Sequence, residues 1–470
     1  METKYYNYVN ERWVRCLICT YNATVEELYF NSLKSRKGIN MKKRNNKLIV
    51  AMLVIAILAS VMGGYGTAVD NIYTESAIFT DMPDQSAAIA ANDLLWKTFT
   101  LDEAGMPIAY PEEYGGAFME GELLYIYIVG LNDELKSKYL KICDNSNVVR
   151  FIEADYSANY LHSLFNEARK YIDEFDITGY GIDFRNNRFQ IEIADAPFSA
   201  SGEELDVNIV SVNTFELQKS RLSSKLDNDA IVIVPGAHMF SAETNSELSM
   251  RSLYNLRGGS ALTGVKADGT TNSFSMAIGG TYGGTPAILT AGHCVSQDSA
   301  TGVQDVGAVK ILGVTMGVPI AYQYESLESG DWAIIRITNS NYIPTNEITV
   351  STLGTNEIKS CATSIAPGQI VFYCGAVSGN IAGSIYLPNY TYIDSILDIE
   401  IRGLCSIQNA SGDQAAKGDS GGTVYFPNAN GHILAGNVSH YEILVENGLY
   451  LTLFNPIGSA INAGFTPYLS

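Results

Sequence analysis

The sequence predicts an all-β domain over residues 250–470, preceded by a smaller α+β domain over residues 69–249. Three observations support this division. In the first region, segments typical of strands alternate with segments whose apolar residues recur at the period of a helix. From about Met250 the helical period disappears, and short β-rich runs follow one another between Gly, Asn, Ser and Pro turns. Near the C-terminus one stretch, IGSAINAG, has helical character.

The α+β domain contains two strand–helix pairs and a hairpin. The run GELLYIYIVGL at 121–131 predicts a strand, and NDELKSKYLKIC after it has its apolar residues on one helix face. VVRFIEA at 148–154 predicts the next strand, and Ser157 is a suitable N-cap for the helix that follows. YGIDFRNNRFQIEI then predicts a hairpin that turns at Asn186 and Asn187, because asparagine tolerates positive φ.

The all-β domain is predicted from the number and spacing of its short apolar runs. Many short strands separated by turn residues are typical of a barrel or a sandwich. With 46% hydrophobic residues in 470, the chain can bury cores of this size. The runs are FSMAIGG, PAILTAG, VGAVKILG, DWAIIRIT, QIVFYCGA, ILDIEIRG, GTVYF, HILAGNVS and LYLTLFNP.

The segment 41–68 has the layout of a secretory signal peptide. It has a basic start, an apolar run from Leu48 to Met62, and small residues before the expected cleavage site. A membrane span is the alternative, but these 15 residues are fewer than the roughly 20 that cross a bilayer. We therefore expect export, and we expect residues 1–40 to lie upstream of the true start at Met41.

Charge and cysteine content exclude some classes of function. A net charge of -20 makes nucleic acid an improbable partner. Beyond Met41 no CxxC motif or His/Cys cluster is present, so we expect neither a metal nor another cofactor. An exported protein can hold disulfide bonds, and the last four cysteines allow three pairings between which the sequence does not choose. The cysteines are Cys143, Cys294, Cys361, Cys374 and Cys405.

Three stretches of the all-β domain hold the side chains that nucleophilic acyl transfer needs. AILTAGHCV contains His293, ESGDWAIIRI contains Asp331, and KGDSGGTVY contains Ser420. A serine hydroxyl is a weak nucleophile, so it needs a histidine to accept its proton and a carboxylate to orient the imidazole. Each residue alone could be an ordinary turn or cap residue. The order His, Asp, Ser differs from that of α/β-hydrolases and of subtilisins.

At these motifs the chain resembles the chymotrypsin-like (trypsin-like) serine proteases, and among them the bacterial streptogrisin and α-lytic protease branch. The resemblance is carried by TAGHC, DWAII, GDSGG and the closing LTLFNPIGSAINAGFTPYL, and it covers about 220 residues. It implies a double β-barrel with the triad between the barrels, and it makes residues 69–249 a pro-domain. The implied protein is a secreted serine endopeptidase, a monomer made as a zymogen, whose partners are protein or peptide substrates and its own pro-domain.

The resemblance also assigns roles to the motif residues. His293 is expected to be the general base, Asp331 the acid that orients it, and Ser420 the nucleophile. The backbone N–H groups of Gly418 and Ser420 are expected to form the oxyanion hole. His432 and His440 match no motif of the family and are expected to be bystanders.

Three further positions are expected to contact substrate. Ser439 matches a strand serine that bonds the triad carboxylate, and Gln414 matches the base of the specificity pocket. Tyr441 is expected to narrow that pocket, so that uncharged small or medium P1 residues are favoured. In the alternative alignment, Tyr441 points to solvent.

The chain also departs from the family pattern. Cys294 follows the histidine as in the family, but no cysteine lies between Met250 and His293 to pair with it, and none follows Ser420. No IVGG sequence is present, and no arginine can be assigned as the partner of Asp419. A catalytically silent binding module on the same fold is therefore the alternative function. Cleavage of the precursor is expected between residues 245 and 260, where the pattern changes.

Overall fold

The computed structural model describes residues 82–470 with internal gaps. The expected upstream segment and signal peptide, the predicted cleavage region up to residue 254, and Gln414 lie outside the described residues. None of the helices in the described part is long and apolar enough to span a membrane. The gaps are 103–104, 145–146, 173, 176, 195–210, 227, 237–254, 297–305, 325–328, 350–355, 395–398, 410–414, 429 and 445–448.

The helices lie mainly in the N-terminal half of the described chain. They are α1 Ser86–Trp96, α2 Asp133–Ile142, α3 Ala158–Arg169, α4 Ser211–Leu226 and α5 Ile457–Asn462. The strands before residue 250 are β1 Thr100–Leu101, β2 Pro107–Ala109, β3 Tyr114–Glu120, β4 Leu123–Ile128, β5 Val149–Glu153, β6 Ile177–Asp183, β7 Arg188–Ala194 and β8 Ile231–Gly236.

After residue 250 the described chain is almost entirely strand. The strands are β9 Asn255–Gly258, β10 Ala261–Lys266, β11 Thr271–Ser275, β12 Ile278–Tyr282, β13 Thr285–Thr290, β14 Val306–Ile311, β15 Val314–Gln323, β16 Trp332–Ile337, β17 Ile343–Ile348, β18 Ile358–Cys361, β19 Ile370–Gly375, β20 Gly379–Ile385, β21 Tyr390–Asp394, β22 Ile399–Asn409, β23 Thr423–Phe426, β24 His432–Leu444, β25 Leu449–Pro456 and β26 Phe465–Pro467.

The two predicted strand–helix pairs of the N-terminal region are confirmed. The side chain of Asn132 caps α2 by accepting from the backbone N–H of Leu135 (2.9 Å), and Ser157 caps α3 as predicted. Strands β3, β4 and β5 form a sheet, and β4 alternates buried with half-buried positions. The helices cover this sheet because each buries one apolar stripe, such as Leu161 and Leu164 on α3.

The predicted hairpin is also present, with β6 and β7 as its strands. Asn187 has a φ of 52°, the left-handed conformation that the turn needs. Its buried side-chain amide donates to the carbonyls of Gly115 and Tyr156, both at 2.8 Å. This asparagine therefore forms the turn and also fixes the hairpin against β3.

The C-terminal part consists of two large sheets, each with its own apolar core. One sheet has the order β11-β10-β14-β15-β16-β13-β12-β26, and the other contains β18-β24-β23-β19-β20-β22-β21. The first core includes Phe274 and Ile335, and the second includes Val424 and Phe454. The predicted β-rich C-terminal region is thus confirmed, and so is its helical stretch, α5.

The N-terminal region and the β-rich region share one sheet. Strand β21 pairs with β6, with Tyr390 opposite Gly181 and Tyr392 opposite Gly179. A Cβ at residue 179 would lie 1.9 Å from the Tyr390 hydroxyl, so only glycine fits there. Strands β6, β7 and β8 therefore continue the second sheet, an arrangement that the sequence did not predict.

The expected disulfide bonds are not formed. All five cysteines that the structure describes are free thiols. The Cys294 Sγ instead lies 3.7 Å from the Nε2 atom of His293, and the Cys405 thiol donates to the Pro388 carbonyl (2.9 Å). Cys143 packs in the apolar core of the N-terminal region, away from the other four cysteines. The prediction of disulfides is wrong for the described residues.

Candidate active site

Strand pairing brings His293 and Asp331 together. Strand β13 is antiparallel to β16, with Thr290 opposite Ala333. The chain leaves β13 and turns at Gly292, which places His293 just beyond the strand end, while Asp331 lies just before β16. The two side chains therefore meet at the same end of two neighbouring strands inside the first sheet.

A second pair of strands positions Ser420 beside Ser439. Strand β23 is antiparallel to β24, with Thr423 opposite Asn437. Ser420 precedes β23 in a tight turn, and Gly421 within it has a φ of 83°. A Cβ at residue 421 would lie 2.0 Å from Thr290 Oγ1, so the glycine after the serine is required for close contact with the first sheet.

Ser275, which belongs to none of the sequence motifs, holds the loop of Ser420 in place. Its backbone N–H donates to the Ser420 carbonyl (2.7 Å), and its hydroxyl donates to the Gly418 carbonyl (2.6 Å). Both carbonyls are thereby turned toward the first sheet. The N–H groups of Gly418 and Ser420 have no hydrogen-bond acceptor among the residues that the structure describes.

His293 and Asp331 are joined by two hydrogen bonds. The Nδ1 atom of His293 lies 2.7 Å from Asp331 Oδ2, and its backbone N–H donates to Oδ1 (2.9 Å). Asp331 is fully buried, and its backbone N–H donates to the side chain of Asn455 (3.2 Å). The carboxylate thus fixes both the position and the ring orientation of the imidazole.

Ser420 is close to these groups but is nearly inaccessible. As whole residues, Ser420 is 2% exposed and His293 is 7% exposed. The Ser420 hydroxyl donates to the backbone carbonyl of Ser439 (3.2 Å). A rotation of this hydroxyl toward His293 Nε2 is therefore needed before proton transfer between the two.

The electrostatics of the pair favour an ionised carboxylate. Burial alone would raise the pKa of Asp331, but the charge of His293 and hydrogen bonds from His293 and Ser439 lower it to about 2. Burial alone would lower the pKa of His293, but the Asp331 carboxylate raises it well above its usual value. The Asp331 carboxylate therefore stabilises the charged form of the imidazole once the ring carries a second proton.

Ser439 and Tyr441 lie on β24 beside these groups, and Gln414 is outside the described residues. The Ser439 hydroxyl donates to Asp331 Oδ2 (2.5 Å). Tyr441 is half-buried and packs against the apolar core of the second sheet. Burial raises the pKa of its hydroxyl.

His440, which was expected to be a bystander, lies within this cluster. Its ring centroid lies 4.7 Å from that of His293, and its Nδ1 atom lies 2.7 Å from the Ser439 hydroxyl. His432, by contrast, packs on Tyr425 near the start of β24. The residue was missed because strand alternation places consecutive side chains on opposite faces.

Within the described residues, His293, Asp331 and His440 also form a group with the chemistry of metal ligands. Their ligand atoms all lie within 4.8 Å of one another. His293 and Asp331 are, however, bonded to each other through Nδ1 and Oδ2. A cation that took both atoms as ligands would break the hydrogen bond that orients the imidazole, so the arrangement suits a hydrogen-bonded network better than a metal centre.

Comparison with known proteins gives a family for this region. Residues 264–459 match the family model described as Trypsin. The chain is similar to the structure of a glutamic acid specific serine protease that utilizes a histidine triad in substrate binding (23% identity, 45% of this chain and 100% of that chain, TM-score 0.36). It is also similar to Thermobifida fusca Protease A (21% identity, 46% and 100%, TM-score 0.36) and to Nocardiopsis protease NAPase (23%, 45% and 96%, TM-score 0.34).

No curated protein matches the chain. The Trypsin match contains His293, Asp331 and Ser420 together with the strands that position them. Residues 264–459 are therefore similar to the trypsin family, and this region has a β-rich, chymotrypsin-like fold.

Proposed function

We propose that this chain is a serine endopeptidase that cleaves peptide bonds through an acyl-enzyme on Ser420. The observation that carries the proposal is the buried His293–Asp331 pair beside a serine whose loop has unpaired backbone N–H groups. A trypsin-family domain supports a peptidase that acts on proteins or peptides. Acyl transfer accounts for each of these groups.

In the proposed reaction, His293 Nε2 accepts the Ser420 proton while Oγ attacks the carbonyl carbon of the scissile bond. The negative charge that develops on the carbonyl oxygen is stabilised by the N–H groups of Gly418 and Ser420. His293 then gives its proton to the leaving amine, and the acyl-enzyme remains. Water, deprotonated by the same imidazole, releases the acid product, while Asp331 keeps the ring oriented and stabilises its charged form.

The enzyme is proposed to be made as an exported precursor, with residues 69–249 as a pro-domain and residues 41–68 as a signal peptide. Strand β6 pairs with β21, and the side chain of Tyr392 on β21 contacts the His440 ring at 4.8 Å between centroids. Through this strand pairing and this ring contact, the N-terminal region is connected to the side chains around His293. Cleavage between residues 245 and 260 would leave a chain that acts as a monomer.

The specificity proposal is that uncharged small or medium P1 residues are preferred. The half-buried position of Tyr441 against the core of the second sheet supports the proposal that its ring forms one wall of the P1 pocket. Tyr441→Gly should therefore widen acceptance toward aromatic P1 residues, which a peptide library measures for both forms.

A catalytically silent binding module is the second candidate, and one observation favours it. The Ser420 hydroxyl donates to the Ser439 carbonyl and not to His293 Nε2. In that case the pocket would bind a peptide without cleaving it.

Labelling with a fluorophosphonate probe tests the proposal and separates the two candidates. Cleaved, exported protein should be modified at Ser420, and peptide hydrolysis should fall on the order of 10⁶-fold in Ser420→Ala. Ser340→Ala, at an exposed serine, is the matched control and should label normally. Unlabelled wild type, or hydrolysis by Ser420→Ala at the wild-type rate, would refute the endopeptidase.

A further inference from the structure

The side chains of Ser439 and His440 point to the same place because β24 bulges there. Val438 is paired with Phe454 of β25, and Tyr441 is paired with Thr452. Two residues of β24 therefore face one residue of β25, which is the definition of a β-bulge. A bulge redirects side chains, so both of these neighbours can approach Asp331 even though regular alternation would separate them.

The hydrogen bonds of the cluster have only one consistent direction. An ionised carboxylate accepts only, so the single Ser439 hydroxyl proton goes to Asp331 Oδ2 (2.5 Å). The Ser439 oxygen can then only accept from His440, whose Nδ1 atom lies 2.7 Å away and must carry the proton. A chain of hydrogen bonds thus runs from His440 through Ser439 and Asp331 to His293.

His440 is held in this arrangement by complete burial. Its side chain is 2% exposed, and its ring lies between those of His293 and Tyr392, with Tyr324 at 6.2 Å between centroids. With the proton on Nδ1, the Nε2 atom is an acceptor, and it has no hydrogen-bond partner among the described residues. Burial, and then the charge of His293, lowers the pKa of His440 to about 3, so the ring is neutral.

We propose that His440 is a positioning residue for the triad, and that its Nδ1–H group holds the Ser439 hydroxyl on Asp331. The inference rests on the proposed function, because it concerns the same reaction. The Ser439 hydroxyl can rotate, and without a donor on its oxygen it is free to turn away from the carboxylate. The His440 donor removes that freedom.

This role matters when His293 becomes positively charged during the reaction. Asp331 must then present Oδ2 to the imidazolium, and the Ser439 hydrogen bond keeps that oxygen in place. The donor also withdraws charge from the carboxylate through Ser439. Removing it should leave more charge on Asp331, and the pKa of His293 should rise.

Two substitutions of His440 separate this role from simple packing. His440→Leu fills the space without a donor, whereas the amide nitrogen of His440→Asn can occupy the position of Nδ1. We expect His440→Leu to lower kcat about tenfold, because it removes one hydrogen bond that acts on Asp331 through Ser439. KM should stay within about twofold of the wild-type value. We also expect it to shift the acidic limb of the kcat/KM profile up by about half a pH unit.

His440→Asn should restore most of the activity and the wild-type pH profile. His432→Leu, at a buried histidine of the same strand that contacts Tyr425, is the matched control and should keep both. Thermal unfolding of each variant identifies losses that come from misfolding. Equal activity and equal pH profiles in the leucine and asparagine variants would overturn the proposal.

The tautomer of His440 gives a second readout that does not need activity. In protein labelled with ¹⁵N-histidine and carrying Ser420→Ala, the nitrogen shifts of His440 should be those of a neutral ring protonated on Nδ1. Ser439→Ala should remove this preference. A ring protonated on Nε2, or a charged ring at pH 6, would overturn the proposal, whereas failure of Ser420 to label would refute only the endopeptidase.

Discussion

Asp419 is a fully buried carboxylate that is neutralised by backbone amides rather than by a cation. Oδ1 accepts from the N–H groups of Val377 (2.8 Å) and Ser378 (3.0 Å), and Oδ2 accepts from that of Ala416 (2.7 Å). Among the described residues it forms no ion pair. Two of these donors come from the loop after β19 and the third from the loop of Asp419 itself, so backbone amides hold the carboxylate in the uncleaved chain.

This arrangement predicts the effect of a single methyl group at Gly375. A Cβ there would lie 2.1 Å from Asp419 Oδ1. Gly375→Ala should therefore displace the carboxylate, and with it the loop that carries the N–H groups of Gly418 and Ser420. The rate of fluorophosphonate labelling at Ser420 should fall roughly 100-fold, as when an oxyanion donor is lost. Gly307→Ala, where a Cβ meets nothing within 4 Å, is the control. Labelling at the wild-type rate in Gly375→Ala would contradict the role given to Asp419.

At the scale of elements, local signals could be predicted from the sequence and non-local ones could not. The cap Ser157 and the turn at Asn187 depend on neighbouring residues, and each is where the pattern placed it. The motifs also identified His293, Asp331 and Ser420 as a group. The bulge that turns His440 inward depends on the register with β25, which composition does not encode.

The pairing of β6 with β21 is a second non-local feature, and a buried ion cluster accompanies it. Glu400 on β22 has an 8% exposed side chain and pairs with Arg169 of α3 (3.2 Å) and Arg402 (2.8 Å). The Tyr180 hydroxyl of β6 also donates to Glu400 (2.8 Å). One carboxylate therefore bonds groups from both regions of the chain.

Removing this carboxylate should loosen the N-terminal region. In a Ser420→Ala background that prevents self-digestion, Glu400→Ala should lower the free energy of unfolding by about 2 kcal/mol, a value reduced for the partial exposure of Arg169. Limited proteolysis should also speed up before residue 250. Glu357→Ala removes an exposed pair with Lys359 and should change neither measurement. Equal behaviour of the two variants would show that Glu400 does not hold the regions together.

At the scale of the whole molecule, the neutral buried His440 makes stability depend on pH. The pKa of His440 is lowered to about 3 in the folded chain, against about 6.5 in an unfolded one. Below pH 6.5 the unfolded chain therefore binds a proton that the folded chain does not bind, so acid destabilises the fold. His293 partly offsets this loss near pH 7, because its raised pKa adds stability that grows as the pH falls and is fully present below pH 6.5.

When the pH falls from 7 to 5, the His440 imidazole alone should lower the free energy of unfolding by about 2 kcal/mol. His162, whose pKa is lowered by burial, acts in the same direction, so the comparison must be made between variants rather than on the wild type alone. Urea unfolding of the Ser420→Ala chain at both pH values measures the total loss. His440→Asn in the same background should reduce that loss by about 2 kcal/mol, because asparagine does not titrate. If both chains lost the same stability at pH 5, His440 would be protonated in the folded state, and the neutral donor to Ser439 would not exist.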